Sequence, residues 1–563
     1  MVVAGTQRPA SVVFASRPQS LVFNRDANTL GRLAAKRDSS PIAPGRIIIG
    51  VDFGTTYSGV AIVHSAMPDE IEIIKSWPGA HGVTSDKVPT ELSYAPAPTP
   101  LQRRGSHRLG SKASRQLLDD AGKSSSESNT NTTDQTNLPR WGFQLTPSEP
   151  RLRCLKLFLD RAQTLPSYIS PIETAAHLRT HDKTVLDALT DYLSLLHNHT
   201  IDHLVRRFGP AFTSYTPLEY VLTLPAIWSD AAKHATLLAA SRAGMGPTNT
   251  IKLISEPEAA ALYTLKTFLP SFVSTSEHLI VCDAGGGTVD IIAYRIMQRA
   301  PVRIEESAVG TGGLVGSGML NFRFEEFVKQ RLGKERFREL REEKPRTWAM
   351  AARYFEETVK RSFCEGEDME FSVPVPGLAD DEEAGIEDGF MILVAEEVEA
   401  VFAPIVAEVV ALVEGQVREI QSKGEVVSAI ILVGGFGQSN YLYTRLKTYF
   451  GKPEVEDVGA TVGEGEEIPT SKQRGIEVVQ PLHAWTAVVR GACLRGLEGS
   501  IVVNRRARWH YGTSYATVFD PKKHPLSDRY WSPLWEKWMV SDRCQWHIAK
   551  VRDFPHPSQS PNQ

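Results

Sequence analysis

The sequence contains two stretches with one shared pattern, IIIGVDFGTTYSGVAIV at residues 47–63 and LIVCDAGGGTVDIIAY at residues 279–294. Each has a run of apolar residues, then an aspartate, a turn of glycine and threonine, and a second apolar run, which is typical of two strands joined by a tight turn. Because so uncommon a unit occurs twice, we predict a duplicated α/β fold whose two hairpins face one cleft.

The two turns have the residue types that bind phosphate groups. Gly54 can adopt backbone angles that let amide groups approach an anion closely, and the neighbouring threonines add hydroxyl groups. The second turn has three consecutive glycines, whose backbone N–H groups can wrap the terminal phosphates of a nucleotide. The predicted phosphate-binding residues are Gly54, Thr55, Thr56, Tyr57, Gly285, Gly286, Gly287 and Thr288.

Two aspartates, Asp52 and Asp283, precede these turns. Carboxylates aimed at a polyphosphate would repel it unless a cation intervened, so the pair predicts Mg²⁺ held through water molecules. A single turn of this kind is more often an ordinary glycine turn, but two in matching contexts favour a phosphate site. The sequence lacks GxxxxGK[ST], and each turn leads into a strand rather than a helix, which excludes P-loop and Rossmann folds.

Composition is that of a soluble protein with more than one domain. The 563 residues are 42% hydrophobic and 23% charged, and the formal net charge of −4 gives no drive toward nucleic acid or an anionic membrane surface. Five scattered cysteines without a CxxC pair argue against a zinc or dithiol site and favour a reducing compartment. No uninterrupted apolar run reaches the roughly 18 residues of a membrane span. We therefore expect a cytoplasmic protein with no nucleic-acid or membrane partner.

Changes in composition divide the chain into segments. Residues 1–45 are arginine-rich, and we interpret them as a disordered tail, with a mitochondrial presequence as the alternative. Lobe I is predicted at 46–270, with a flexible insertion at about 95–140 that is rich in Pro, Ser, Thr, Asn and Gln. Lobe II follows at 271–496, and a short C-terminal extension at 497–563.

The C-terminal extension is rich in aromatic residues. We predict a small β-subdomain that packs these side chains against the core, since burial is the ordinary fate of aromatic residues. A partner-binding surface is the alternative, because Trp and Tyr are favoured as interface anchors. The residues concerned are Trp509, Tyr511, Tyr530, Trp531, Trp535, Trp538 and Trp546.

Three further segments stand in order with the hairpins: VLTLPAIWSDAAKHAT (221–236), ISEPEAAALYTL (254–265) and AIILVGGFGQSNYL (429–442). Together the five motifs resemble the ATPase domain of the seventy-kilodalton heat-shock chaperones, in the actin-like ATPase superfamily, over residues 46–496. The divergent twelve-A/twelve-B-like branch, with its fungal relatives, is the most similar. The resemblance implies an α/β fold of two duplicated actin-like (ribonuclease H-like) lobes around a nucleotide cleft. The C-terminal β-containing extension looks truncated beside the family's peptide-binding region.

The resemblance also implies catalytic residues. Glu256 matches the family glutamate that positions the attacking water and the metal shell, with an acid at a helix N-terminus as the alternative interpretation. Lys156 matches the lysine that neutralises charge on the transferred phosphoryl group, with an ordinary surface lysine as the alternative. Asp52 and Asp283 complete the catalytic set and bind Mg²⁺ through water.

Residues for the nucleoside follow from the same resemblance. Glu357, Lys360 and Arg361 have the i, i+3, i+4 spacing of one helical face and resemble the family's ribose and adenine contacts, although a salt-bridged face has the same spacing. The sequence also departs from the family, because Gln438 replaces an arginine beside the adenine and Trp485 replaces an aspartate near the ribose. The remaining matches are Gly434, Gly435 and Phe436, together with the pair Gly316 and Ser317, for which Gly312 and Gly313 are an alternative register.

The implied function is a slow, Mg²⁺-dependent ATPase that binds ATP and ADP and closes its lobes with the nucleotide state. Pro225 matches the proline that couples this state to a client protein or co-chaperone, while Lys233 replaces the arginine that relays the signal and loses its bidentate geometry. A non-hydrolysing, nucleotide-dependent interaction module is the main alternative. A sugar kinase on the same superfold is the third, and the sequence shows no separate motif for its substrate.

Overall fold

The structure is a computed structural model of the chain and describes residues 45–94, 139–161, 163–267, 274–364, 369–451, 475–548 and 550. Apart from their last residues, the predicted tail at 1–45 and the predicted insertion at 95–140 lie outside the described residues. The described residues belong to one unit that begins at Gly45.

The N-terminal half is built on a sheet with the strand order β3-β2-β1-β8-β9, and β4 also pairs with β2. Strands β5 to β7 form a small separate sheet in the order β6-β5-β7. The strands are β1 (Ile47–Asp52), β2 (Tyr57–His64), β3 (Glu72–Ile73), β4 (Val88–Pro89), β5 (Glu91–Ser93), β6 (Arg140–Trp141), β7 (Leu152–Arg153), β8 (Leu218–Leu224) and β9 (Lys252–Ser255). The helices are α1 (Pro171–Thr180), α2 (Val185–Phe208), α3 (Pro210–Tyr215), α4 (Asp230–Ala240) and α5 (Glu256–Thr267).

The strands of the next part of the chain are β10 (His278–Ala284), β11 (Val289–Arg299), β12 (Val302–Glu306), β13 (Thr311–Gly313), β14 (Glu370–Pro374), β15 (Ile386–Glu387), β16 (Phe390–Val394), β17 (Val427–Val433), β18 (Glu477–Val479) and β19 (Val502–Asn504). This part is built on a second large sheet with the order β18-β17-β10-β11-β12-β19, and β13 also pairs with β11. Strands β14 to β16 form a small separate sheet in the order β14-β16-β15. The helices are α6 (Gly318–Leu332), α7 (Lys334–Glu342), α8 (Pro345–Tyr354), α9 (Lys360–Ser362), α10 (Ala395–Ser422), α11 (Asn440–Phe450) and α12 (Ala487–Glu498).

The two sheets repeat one arrangement. Strand β1 pairs antiparallel with β2 and parallel with β8, and β10 pairs antiparallel with β11 and parallel with β17. Every residue of β1 and β10 is buried, as expected for apolar strands covered on both faces. The repetition predicted from the two similar stretches is therefore present, and the α/β prediction is confirmed. The exact lobe boundaries stay predictions.

Helices α5 and α12 contribute to one apolar core with residues of both sheets. They lie against each other, and α12 also lies on β1. At the crossing, Gly491 lies so close to α5 that a Cβ atom there would overlap the carbonyl oxygen of Ala259. Only glycine allows so close an approach of the two backbones.

Another three-stranded sheet, the C-terminal sheet, follows α12. Its strands are β20 (Tyr511–Val518), β21 (Arg529–Ser532) and β22 (Lys537–Ile548), in the order β20-β22-β21. The predicted burial of its aromatic residues is wrong, since Trp509 and Trp535 are 65% and 66% exposed and most of β20 is exposed as well. Within the described residues, none of the helices combines the length and apolar character that crossing a lipid bilayer requires.

Candidate functional site

The two hairpins bring their turns into contact. The first turn comprises residues 53–56 and the second residues 285–288, at the ends of β1 and β10. A Cβ atom on Gly286 would overlap the side chain of Thr56, and one on Gly287 would lie 2.6 Å from Thr55 Cγ2. The glycines of the second turn are therefore needed for the close approach of the first turn.

A cleft with an empty volume of about 890 Å³, open to solvent, lies along these turns. All four predicted catalytic residues line it, as do all predicted cofactor-binding residues except Gly316 and Glu357. The predicted residues that line the cleft are Asp52, Gly54, Thr55, Thr56, Tyr57, Lys156, Glu256, Asp283, Gly285, Gly286, Gly287, Thr288, Ser317, Lys360, Arg361, Gly434, Gly435 and Phe436.

Gly316 lies behind the second turn instead of in the cleft. Its N–H donates to the carbonyl oxygen of Gly287 at 3.3 Å, and a Cβ atom there would lie 2.5 Å from the backbone of Gly286. The next two N–H groups, of Ser317 and Gly318, donate to the carbonyls of Gly285 and Gly286 at 3.0 and 2.7 Å. This segment therefore supports the glycine turn, and Ser317 lines the cleft in place of Gly316.

Two buried ion pairs lie at the turns. The ammonium of Lys156 donates to Glu256 Oε1 at 2.6 Å, and that of Lys87 donates to Asp52 Oδ2 at 2.6 Å. Asp52 also accepts from the hydroxyl of Thr223 at 3.1 Å. The surface interpretation of Lys156 is wrong, because its side chain is only 2% exposed.

Glu256 is the first residue of α5 and reaches the cleft from the end of β9. Burial raises the pKa of its carboxyl to about 7, against the opposing effect of the Lys156 ammonium, and the nearby charges of Asp290 and Asp52 raise it further. Glu256 therefore exchanges a proton near neutral pH, which is the range in which a general base is most effective.

Asp283 has different surroundings from Asp52. Asp283 is buried, with only 6% of its surface exposed, and yet its carboxylate has no hydrogen-bond partner among the described residues. Burial raises the pKa of Asp283 well above its usual range, and the negative charges of Glu256, Asp52 and Asp290 act in the same direction. Gly434, with a φ of 91°, lies beside it, and a Cβ atom there would be 2.5 Å from Asp283 Oδ1. Negative charges around the carboxylate of Asp283 therefore outweigh the positive charge near it.

The helix that carries Arg361 and the turn after β17 also line the cleft. A π-helical turn at Phe355–Val359 separates α8 from α9, and such a wider turn shifts the register of the residues beyond it. Glu356 lines the cleft instead of the predicted Glu357 and accepts from Lys360 Nζ at 2.7 Å. The predicted i, i+3, i+4 face assumed a regular α-helix, which this segment does not form.

Several cleft residues were not among the predicted ligands. Gln438 and Trp485 were visible in the sequence only as departures from the family pattern, and Glu356 only as the neighbour of a predicted residue. Lys87 belongs to no sequence motif. It lies near Asp52 because β4, which it directly precedes, pairs with β2. The cleft residues outside the predicted set are Lys87, Glu356, Gln438, Ser439, Trp485 and Val488.

A chain of hydrogen bonds leads from the second turn to the segment that follows α12. Asp290, two residues beyond Thr288, accepts from the N–H of Ala226 at 2.9 Å. The carbonyl of Ala226 in turn accepts from the guanidinium of Arg508. Pro225 directly precedes this point of contact, whereas Lys233 forms a surface pair with Asp230 at 3.3 Å.

Comparison with known proteins connects this site to a family. Residues 211–461 match the family model of the Hsp70 protein. The chain is 22% identical to Heat shock 70 kDa protein 12A of Mus musculus over 99% of its own length and 84% of that protein. It is 22% identical to Heat shock 70 kDa protein 12B of Homo sapiens, covering 91% of the chain and 76% of that protein.

A bacterial protein matches a shorter region. The Chaperone protein HscA homolog of Acidovorax sp. (strain JS42) is 28% identical over 43% of this chain and 36% of that protein. A relation to fungal proteins stays a prediction. The actin-like arrangement of the two sheets agrees with these matches, and the chain thus carries an Hsp70 family domain and is a distant homologue of the mammalian 12A and 12B proteins.

Proposed function

We propose that the cleft binds ATP with Mg²⁺ and hydrolyses the nucleotide slowly to ADP and phosphate. The Hsp70 domain indicates a nucleotide-binding ATPase. The observation that carries the proposal is the meeting of two glycine turns beside three buried carboxylates and the buried ammonium of Lys156. A polyphosphate between the turns would meet backbone N–H and hydroxyl groups from both sheets.

The carboxylates support a divalent cation. Asp283 is buried, faces the cleft and lacks a hydrogen-bond partner among the described residues. A cation beside it would therefore compensate the unfavourable negative charge of its carboxylate. Within the described residues no three His, Cys, Asp or Glu side chains converge as a metal site, so water and phosphate oxygens would complete the shell, as Mg²⁺ prefers. When bound, Mg²⁺ supplies positive charge to the β- and γ-phosphate oxygens.

The residues around the γ-phosphate fit an attack by water. In the proposed reaction the water oxygen forms a bond to the γ-phosphorus, and the bond from that phosphorus to the bridging oxygen of ADP breaks. The carboxylate of Glu256 orients the water and accepts its proton. Lys156, 2.6 Å from Glu256, offsets the negative charge that develops on the phosphoryl oxygens.

Coupling to a partner protein is the second part of the proposal. The hydrogen bonds from Asp290 through Ala226 to Arg508 join the second turn to the C-terminal segment. A movement of that turn with the nucleotide state would therefore change the position of Arg508. The exposed aromatic sheet beyond it offers anchors for a client protein or co-chaperone.

One observation favours a second candidate, a nucleotide-gated interaction protein that does not hydrolyse ATP. The carboxylate of Glu256 already accepts a hydrogen bond from the ammonium of Lys156 at 2.6 Å. This bond competes with a water molecule for the carboxylate and so opposes its use as a base. The two candidates share the nucleotide cleft and differ only in the release of phosphate.

Single-turnover hydrolysis of γ-labelled ATP with Mg²⁺ separates the candidates, with nucleotide binding measured on the same samples. We expect phosphate release by the wild-type protein and its loss in Glu256→Gln, with ATP still bound. Asp283→Ala should lose release together with Mg²⁺-dependent binding. Binding without release by the wild type would establish the second candidate, and failure to bind ATP would refute both.

A further inference from the structure

The largest aromatic side chain that lines the cleft is that of Trp485. It lies on a 3₁₀ turn, Ala484–Thr486, directly before α12. The N–H of Gly434 donates to the carbonyl of Ala484 at 3.1 Å, which fixes this turn against the end of β17. Gly435 leaves room for the indole, because a Cβ atom there would lie 3.3 Å from Trp485 Nε1.

Three side chains from separate segments of the chain surround the indole of Trp485. Tyr57 of the first hairpin meets it edge to face, with ring centroids 6.0 Å apart. The guanidinium carbon of Arg361 lies 5.4 Å from the ring centroid, and Lys87 Nζ lies 6.0 Å from it. The guanidinium of Arg361 is planar and lies over the indole ring, and a nucleobase, which is also planar, could take such a position.

The chemistry of the indole limits what it can recognise. Its N–H is a single donor and it has no acceptor, so it cannot accept a hydrogen bond from a ribose hydroxyl. It offers a wide π-face, and every nucleobase has such a face. The ring also lies in the same cleft as the phosphate turns, beside Tyr57, which follows the first turn.

We propose that Trp485 holds the base of the bound nucleotide by stacking, so that the indole supplies affinity that is shared by purine bases. This inference rests on the proposed nucleotide site and assigns the base end of it. The turns and the buried charges hold the phosphates, while Trp485 adds affinity only when the ligand carries a base.

Equilibrium binding of three probes with Mg²⁺, namely ATP, GTP and inorganic tripolyphosphate, tests the proposal on the full chain. Stacking of one base contributes on the order of a 10-fold to 100-fold gain in affinity. In Trp485→Ala we expect the affinity for ATP and GTP to fall by the same factor within that range. The affinity for tripolyphosphate should stay unchanged, which also shows that the variant is folded. Trp485→Phe should retain most of the affinity, and Trp535→Ala serves as the matched control for loss of a tryptophan outside the cleft.

The outcomes separate this inference from the proposed function. If ATP and GTP bind the wild type and Trp485→Ala with equal affinity, the stacking role is refuted and the nucleotide site stands. An equal loss for tripolyphosphate would also refute it, because the substitution would then act on the whole cleft. If none of the three probes binds the wild type, the nucleotide site itself is refuted and the stacking role with it.

Discussion

The two hairpins have the same pattern of strand pairing, but their aspartates have different neighbours. Asp52 in the first hairpin is paired with Lys87 and accepts a hydrogen bond from Thr223, whereas Asp283 in the second has no hydrogen-bond partner among the described residues. The repeated sequence thus accounts for the repeated strand pairing, and residues outside the repeat account for the difference in charge around the two aspartates. In the proposed function, Asp283 is therefore the carboxylate that gains more from an added cation.

The largest expected effect comes from breaking the pair at the first hairpin. Asp52→Asn leaves the buried ammonium of Lys87 without its counter-charge, and loss of one member of a buried ion pair costs roughly 3 to 5 kcal/mol. Urea denaturation should show this loss in the free energy of unfolding. The double variant Asp52→Asn/Lys87→Met should recover most of it, and equal stability of the single variant and the wild type would contradict the pairing.

Glu256 belongs to neither hairpin and is influenced by charges near both. Because burial raises its pKa to about 7, the ionised form that can accept a proton is lost as the pH falls below that value. Phosphate release in single turnover should therefore fall about tenfold for each pH unit below the midpoint. Glu256→Gln should give a low and flat profile, and a flat profile for the wild type between pH 5.5 and 8 would exclude Glu256 as the base.

The smallest expected effect, and one of opposite sign, comes from Asp283→Asn. The folded protein binds a proton at Asp283 more tightly than the unfolded chain, since its pKa is raised, so its stability falls as the pH rises above the carboxyl's usual range. Removing this charge should raise the free energy of unfolding at pH 8 by about 1 kcal/mol or more and leave it unchanged at pH 3. Thermal unfolding at pH 3 and pH 8 measures the change in stability. If Asp283→Asn destabilised the protein at pH 8 as Asp52→Asn does, the proposed difference between an unpaired Asp283 and a paired Asp52 would be contradicted.

Most of the cleft could be predicted because its residues lie in short local patterns. A strand followed by a glycine turn carries its own signal in the alternation of apolar residues and in the turn residues themselves. Asp52, Asp283 and the glycine turns are of this kind. Glu256 and Lys156 came from the family resemblance, and the structure joins them in one buried ion pair.

The parts that could not be predicted depend on contacts between distant segments. Lys87 is separated from Asp52 in the chain and meets it only because β4 pairs with β2. Glu356 lines the cleft instead of the predicted Glu357 because of a π-helical turn, which the spacing of the charged residues does not indicate. The exposure of Trp509 and Trp535 depends on which surface the C-terminal sheet contacts, whereas their aromatic character alone favoured burial.

The contact between Gly491 and Ala259 links the two ends of the cleft. Helix α5 begins with Glu256 and α12 begins directly after the turn that holds Trp485. Since Gly491 has no side chain, the two helix backbones touch where they cross, and this contact sets the spacing between the helices. A larger residue at 491 would force the helices apart and so displace Glu256 and Trp485 relative to each other.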